Sequence, residues 1–209
     1  MLPSLPPHRP LGSSTIEKLR SLKPAFIKPH GTVTAGNASS LTDGASAALL
    51  MSEAAALGAG FTPAAGFVDH IFVAQDPKEQ LLLGPAYAIA ALLARNGLTV
   101  ADVGVWELHE AFAGQVLANL AALDSGVFAA KHLRRGEGAA KVGRPPLERI
   151  NTLGGSLGLG HPFGATGTRI LTTAVKRLAR EGSRYAILAA CAAGGQGHAM
   201  LVEKWEPVK

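Results

Sequence analysis

Three short stretches of this chain set reactive side chains at the ends of expected strands or helices, two of them beside glycine. In Cys191-Ala192-Ala193-Gly194-Gly195-Gln196-Gly197-His198, the only cysteine closes an apolar run and opens a glycine turn. The carboxyl end of a strand is where α/β folds present reactive groups, and free amides in such a turn can stabilise a developing oxyanion. A thiol there can carry protons, with a pKa that nearby dipoles can tune towards working pH. The plainer alternative is a small buried hydrophobe, the usual fate of free cysteine. The second stretch is Gly154-Gly155-Ser156-Leu157-Gly158-Leu159-Gly160-His161-Pro162-Phe163-Gly164-Ala165-Thr166-Gly167. Pro162 pushes His161 into extended geometry, and the glycines let backbone approach a ligand. A histidine so placed is a candidate acid, base or hydrogen-bond donor; the alternative is a loop histidine with no role. The stretch lacks the Gly-Lys-Ser/Thr ending of a P-loop and has no correctly placed Gly-x-Gly-x-x-Gly, which disfavours nucleotide hydrolysis and dinucleotide binding. The third is His109-Glu110-Ala111-Phe112 at a strand-to-helix junction. Glu110 reads as a helix-start acid complementing the macrodipole, which leaves His109 unexplained.

The elements that must position these groups alternate. A short helix is expected over 15–22, then extended chain at Pro24 and Pro29, and a loop over 31–44. Residues 45–57 are apolar, and periodicity does not decide between strand and helix. Strands are expected over 66–74, 103–108, 185–190 and 198–203. Helices are expected over 85–95, 110–123 and 165–181. Phe112, Val116 and Leu120 form a stripe on the second helix and Ile170, Ala174 and Leu178 on the third. Asn96-Gly97 and Gly182 act as stops. Residues 124–149 form a long connection whose charges read as a solvated face. Alternating strands and helices imply α/β layers around a mostly buried sheet, with an antiparallel hairpin closing the chain.

Composition narrows the function. The chain has 209 residues, 47% of them hydrophobic and 17% charged, which excludes a disordered or acidic solvating segment. A formal charge of +5 suits an anionic small molecule as well as nucleic acid, so it does not by itself imply nucleic acid. One cysteine excludes an internal disulfide and a Cys-rich zinc module. No uncharged apolar run is long enough to span a bilayer. Residues 1–10 carry four prolines and no apolar core, so they read as an arm rather than a signal peptide.

Taken in order, the 109–112, 160–167 and 191–197 motifs resemble the three carboxyl-half motifs of the thiolases. Residues 31–39, Gly-Thr-Val-Thr-Ala-Gly-Asn-Ala-Ser, resemble their coenzyme A-binding segment. Most thiolases have Asn where this chain has His109. His109, the Cys-Ala-Ala-Gly-Gly run and the 124–149 insertion resemble the trifunctional-enzyme β-subunit type. The resemblance implies a thiolase-like C-terminal domain at 64–209, a mixed sheet flanked by helices and half of the layered αβαβα fold. Residues 1–63 would then be an arm, the coenzyme A loop and a remnant of the amino-terminal half, with 45–57 the least protected part. It implies cleavage of 3-ketoacyl-CoA to acetyl-CoA and a shortened acyl-CoA, or the reverse condensation.

The resemblance also assigns roles. His161 would be the base for the nucleophilic cysteine and an oxyanion donor, His109 would hold a water of the same hole, and Cys191 would be the acid/base. A backbone amide of Ala193 or Gly194 would face the thioester oxygen. Ala35 and Ser39 would contact pantetheine, and Phe112 the acyl chain. Coenzyme A would be a substrate, with no tightly bound cofactor and no metal. The nucleophilic cysteine belongs to the family's amino-terminal half. A partner would therefore be expected to supply it: that half, as in a split or truncated enzyme, or a full-length subunit. A hydratase/dehydrogenase subunit and a homo- or hetero-oligomer fit the same type, in the cytoplasm of a bacterium or the mitochondrion of a eukaryote. A non-catalytic acyl-CoA-binding or assembly module is the competing expectation. A metal site from His109, His161, Cys191 and His198 is weaker, since no pair shows ligand spacing.

Overall fold

The computed structural model describes residues 14–207, so the arm expected over residues 1–10 lies outside the described residues. Helix α1 (Ile16–Ser21) starts where Thr15 Oγ1 accepts from the Lys18 amide. Helix α2 (Glu53–Gly58) starts where Ser52 Oγ accepts from the Ala55 amide. The apolar stretch 45–57 is thus helical only in its second part, and Leu49 and Leu50 are 77% and 71% exposed. The remaining elements are β1 (Ala65–Ala74), α3 (Pro77–Gln80), α4 (Gly84–Arg95), β2 (Val103–Leu108), α5 (Ala113–Leu123), α6 (Gly126–Lys131), α7 (Ser156–Leu159), α8 (Phe163–Glu181), β3 (Tyr185–Ala192) and β4 (Gln196–Lys204).

Two expectations from the sequence need correction. Helix α5 starts at Ala113 rather than residue 110. Phe112 is extended (φ −144°, ψ 143°) because it bridges to Ala38 while the Ala113 amide donates to Asn37 O. A tertiary pairing therefore overrides the local helical pattern. The connection 124–149 holds a short helix, α6, capped by Ser125 Oγ and burying Phe128 and Ala129. Six residues are too few for periodicity to reveal it.

The four strands form one mixed sheet in the order β1-β4-β3-β2. β2 and β3 are parallel, whereas β4 is antiparallel to both β3 and β1. The crossover between β2 and β3 carries α5 to α8. One face is covered by α4 and α5, whose Ile89, Leu92, Leu120 and Leu123 pack on Trp106, Ile187 and Leu201. The other is covered by α8, whose Ile170, Ala174 and Leu178 pack on Val105, Ala186, Leu188 and Val202. Adjacent residues of β3 go to opposite layers, as the pleat requires. The result is an α/β/α sandwich with β4 and β3 at the centre of the sheet and the parallel pair β3–β2 at one side, β2 being an edge strand. Helix α4 approaches β4 so closely that a Cβ on Gly84 would lie 2.5 Å from Gly197 Cα.

A buried charge ties α8 to the sheet. Arg177, fully buried, donates to Glu107 Oε1 at 2.7 Å, Glu181 Oε1 at 2.8 Å, and the carbonyls of Trp106 and Arg149. Burial pushes the Glu107 carboxyl upward and the Arg177 guanidinium opposes it. Removing one member of such a pair strands the other charge in a medium that cannot solvate it. Arg177→Met is expected to destabilise the chain by about 3–5 kcal/mol, with Arg177→Met/Glu107→Gln recovering part of the loss in urea denaturation. A loss no larger than the ~1 kcal/mol of a surface pair would contradict this account.

Candidate active site

The parallel pairing of β2 and β3 brings their carboxyl ends to one edge of the sandwich. His109, just past β2, donates its amide to Ala189 O at 2.8 Å, and Cys191 follows two residues further along β3. The third component, the loop of residues 151–162, is held by side chains that imitate backbone. Asn151 donates its amide to Trp106 O, accepts the Leu108 amide on Oδ1 and donates from Nδ2 to Leu108 O. Its side chain thereby extends the edge of β2.

The same Nδ2 donates to Glu110 Oε1 at 2.6 Å, and Glu110 Oε2 accepts the Leu157 amide at 3.0 Å. Glu110 therefore caps α7 rather than α5, contrary to its reading as the acid at the start of α5. A Cβ on Gly155 would stand 2.2 Å from this carboxylate, so any larger residue there must displace the Glu110 side chain from its two hydrogen bonds. Residues 37–46 run across both loops. The Ser39 amide donates to Ala111 O, the His161 amide to Ser40 O, and Ser46 Oγ to Ala165 O.

These contacts put two imidazoles face to tilted face, with His109 and His161 ring centroids 4.1 Å apart and planes at 42°. His109 is 4% exposed and its Nδ1 lies 2.8 Å from Ser156 Oγ. His161 is half-buried and its Nδ1 lies 2.6 Å from Thr166 Oγ1. Burial first, then the neighbouring His161 and the Arg169 guanidinium, hold His109 down at about 4. Burial and then Arg169 also lower His161. Both rings are thus kept neutral, the state in which an imidazole has one nitrogen to accept a proton and one to donate. The Cys191 thiol goes the other way: burial pushes it up to about 11. The tuning towards working pH expected from nearby dipoles is outweighed, and Cys191 is held as a protonated thiol.

The remaining sequence-predicted residues fall in two places. Ala193 and Gly194 lie exposed in the β3–β4 turn, with Gly194 at φ 88°. That turn is clipped to the end of β1 by the Gln75 amide donating to Gly195 O. Ser39 and Phe112 come together through the Ala38 bridge to Phe112, and the Phe112 ring meets Phe26 edge-on at 6.5 Å. Ala35 is exposed on the same segment. His198 stacks instead on Phe72, with centroids 4.3 Å apart. Among the described residues no three His, Cys, Asp or Glu side chains are arranged to hold a cation. Sequence reasoning missed Ser156, Thr166, Arg169 and Asn151 as parts of the site. Thr166 and Arg169 follow His161 on the first turns of α8, a spacing that could have pointed to them, whereas Asn151 and Ser156 act through loop geometry that leaves no periodic signal.

Residues 61–204 match the family model described as "Thiolase, C-terminal domain", and residues 9–54 match "Thiolase, N-terminal domain". The chain is 59% identical over 192 residues to a probable 3-ketoacyl-CoA thiolase of Caenorhabditis elegans, covering 92% of this chain and 42% of that protein. It is 58% identical to the mitochondrial trifunctional enzyme subunit beta of Bos taurus, covering 92% and 40%. Among solved structures, human mitochondrial 3-ketoacyl-CoA thiolase superposes with a TM-score of 0.75 at 34% identity, covering 93% of this chain and 44% of that one. The chain thus spans about two fifths of the length of the curated relatives it matches.

The neutral state of His109 has a consequence for stability. Between the ordinary histidine value of 6.5 and its folded value of about 4, the unfolded chain binds a proton that the folded chain refuses. This contribution is fully present above pH 6.5 and is lost as pH falls through about 4. It amounts to roughly 3 kcal/mol at 1.36 kcal/mol per unit. His109→Asn is expected to lose less stability than the native chain over that acid range in thermal or urea unfolding. Parallel decline of the two proteins would contradict the burial of a neutral His109.

Proposed function

Because the chain belongs to the thiolase family, we propose that residues 64–209 act in thiolytic cleavage of a 3-ketoacyl-CoA to acetyl-CoA and a shortened acyl-CoA, or in the reverse condensation. The observation that carries this reading is the pair of neutral imidazoles at the sheet edge where Cys191 presents a protonated thiol. Neutral His161 accepts the proton of a nucleophilic cysteine, whose sulfur attacks the 3-keto carbon. His161, a water held by His109 and an amide of the 193–194 turn supply hydrogen bonds to the oxyanions that form. As the carbon–carbon bond breaks, Cys191 gives its proton to the α-carbon of the departing acetyl-CoA. The incoming coenzyme A thiol returns a proton to Cys191 and attacks the acyl-cysteine, whose sulfur leaves and recovers its proton from His161. Ala35 and Ser39 lie along the pantetheine arm and Phe112 along the acyl chain.

The 209 residues contain one cysteine, and it serves here as acid/base. The nucleophile is assigned to the amino-terminal half of the thiolase fold, whether on the same polypeptide or on a partner subunit. Coenzyme A is a substrate, a reading supported by the similarity to the human mitochondrial enzyme solved in complex with CoA. The similarity to mitochondrial trifunctional enzyme β subunits supports fatty-acid β-oxidation and, in a eukaryote, a mitochondrial location. It is also the ground for expecting a hydratase/dehydrogenase partner.

Acetoacetyl-CoA thiolysis should be assayed with this chain alone and with a separately expressed thiolase amino-terminal half. Turnover is expected only on mixing. In the mixture, His161→Ala is expected to cost roughly 10²- to 10⁴-fold, the usual worth of a positioned base. Cys191→Ser is expected to abolish α-proton exchange into acetyl-CoA. Turnover by the isolated chain would contradict the need for a partner, and inactivity in both cases would favour a non-catalytic acyl-CoA-binding module.

A further inference from the structure

Ser156 is 1% exposed, and its hydroxyl has two neighbours: Arg169 Nη2 at 2.8 Å and His109 Nδ1 at 2.8 Å. A guanidinium carries donors only, so Arg169 donates and Ser156 Oγ accepts. Arg169 is itself anchored, its Nη1 donating to Gly160 O at 2.7 Å, the carbonyl just before His161. The hydroxyl keeps one hydrogen of its own, and His109 Nδ1 is the acceptor beside it. Were His109 protonated on Nδ1, two donors would converge on Ser156 Oγ, and its hydrogen would be buried without a partner, an arrangement folded proteins avoid.

We propose that Ser156, oriented by Arg169, is a positioning residue that fixes His109 as its Nε2–H tautomer, so that His109 offers the substrate oxygen or its water a donor rather than an acceptor. The functional half of this inference rests on the reading of His109 as part of the oxyanion site. The tautomer itself stands on the hydrogen-bond geometry alone. Neighbouring charge supports a single proton on the ring, since Arg169 and the His161 imidazole both oppose a second one.

Nitrogen NMR of the histidine-labelled chain near neutral pH tests the tautomer without substrate, with His109 assigned by the signals missing from His109→Asn. The expected spectrum shows Nε2 protonated and Nδ1 bare. Ser156→Ala is expected to move the tautomer ratio by roughly tenfold towards Nδ1–H, the worth of one hydrogen bond, and Ser156→Thr to restore it. A native chain with the proton on Nδ1, or a ratio unmoved by Ser156→Ala, would overturn the proposal. If Ser156→Ala does not fold, the native spectrum alone decides. In the mixed enzyme, Ser156→Ala is expected to lower kcat with little change in KM, a transition-state effect, and Ser156→Thr to recover it. A loss confined to KM would overturn the functional half. Absence of turnover in the native mixture would instead remove the activity reading and leave the tautomer to the spectrum.

Discussion

Two imidazoles 4.1 Å apart, one buried and one half-buried, disfavour carrying charge together, and the candidate site is organised around that constraint. Each ring has its Nδ1 engaged by a hydroxyl, Ser156 for His109 and Thr166 for His161. Arg169 adds a fixed positive charge that makes a further proton less favourable on either ring. Neutrality is what lets one ring accept a proton while the other donates a hydrogen bond. The arrangement is therefore in place before any substrate arrives.

The fold serves this pair from three directions. Parallel pairing of β2 and β3 sets His109 beside Ala189 and places Cys191 at the same edge. The Asn151 side chain and the Glu110 carboxylate hold the loop that delivers His161. Residues 37–46 fasten both loops from outside: the Ser39 amide donates to Ala111 O, the Ala113 and His161 amides donate to the carbonyls of Asn37 and Ser40, and Ser46 Oγ donates to Ala165 O. Arg177 and Glu107, buried between α8 and the sheet, join α8 to β2 and so link the helix that follows His161 to the strand that leads into His109.

Much of this was legible in the sequence, for physical reasons that differ by element. The strand over 103–108 and the helix that became α8 carry strong apolar patterns, and their bounds agree closely with those expected. The three motifs drew attention to His109, His161 and Cys191 because those residue types stand at strand ends and in a glycine loop, and the structure brings the two histidine rings together. What stayed hidden depends on contacts between distant residues. Phe112 lies outside α5 because Ala38 pairs with it. Glu110 looked like a cap for the helix that follows it, yet its carboxylate reaches α7, 47 positions further on. Asn151 and Ser156 stand in segments with no period, so their roles follow only from where the chain has folded. Nearby dipoles could tune the Cys191 thiol towards working pH, but its burial, invisible in the sequence, pushes it up instead.

The central claim is that His109 and His161 are both neutral and share one buried setting. Following their carbon-bound ring protons by NMR across a pH titration of this chain tests it most directly. The account predicts that His109 titrates only near pH 4 and His161 below the ordinary histidine value of 6.5. Titration of either ring at or above 6.5 would contradict it.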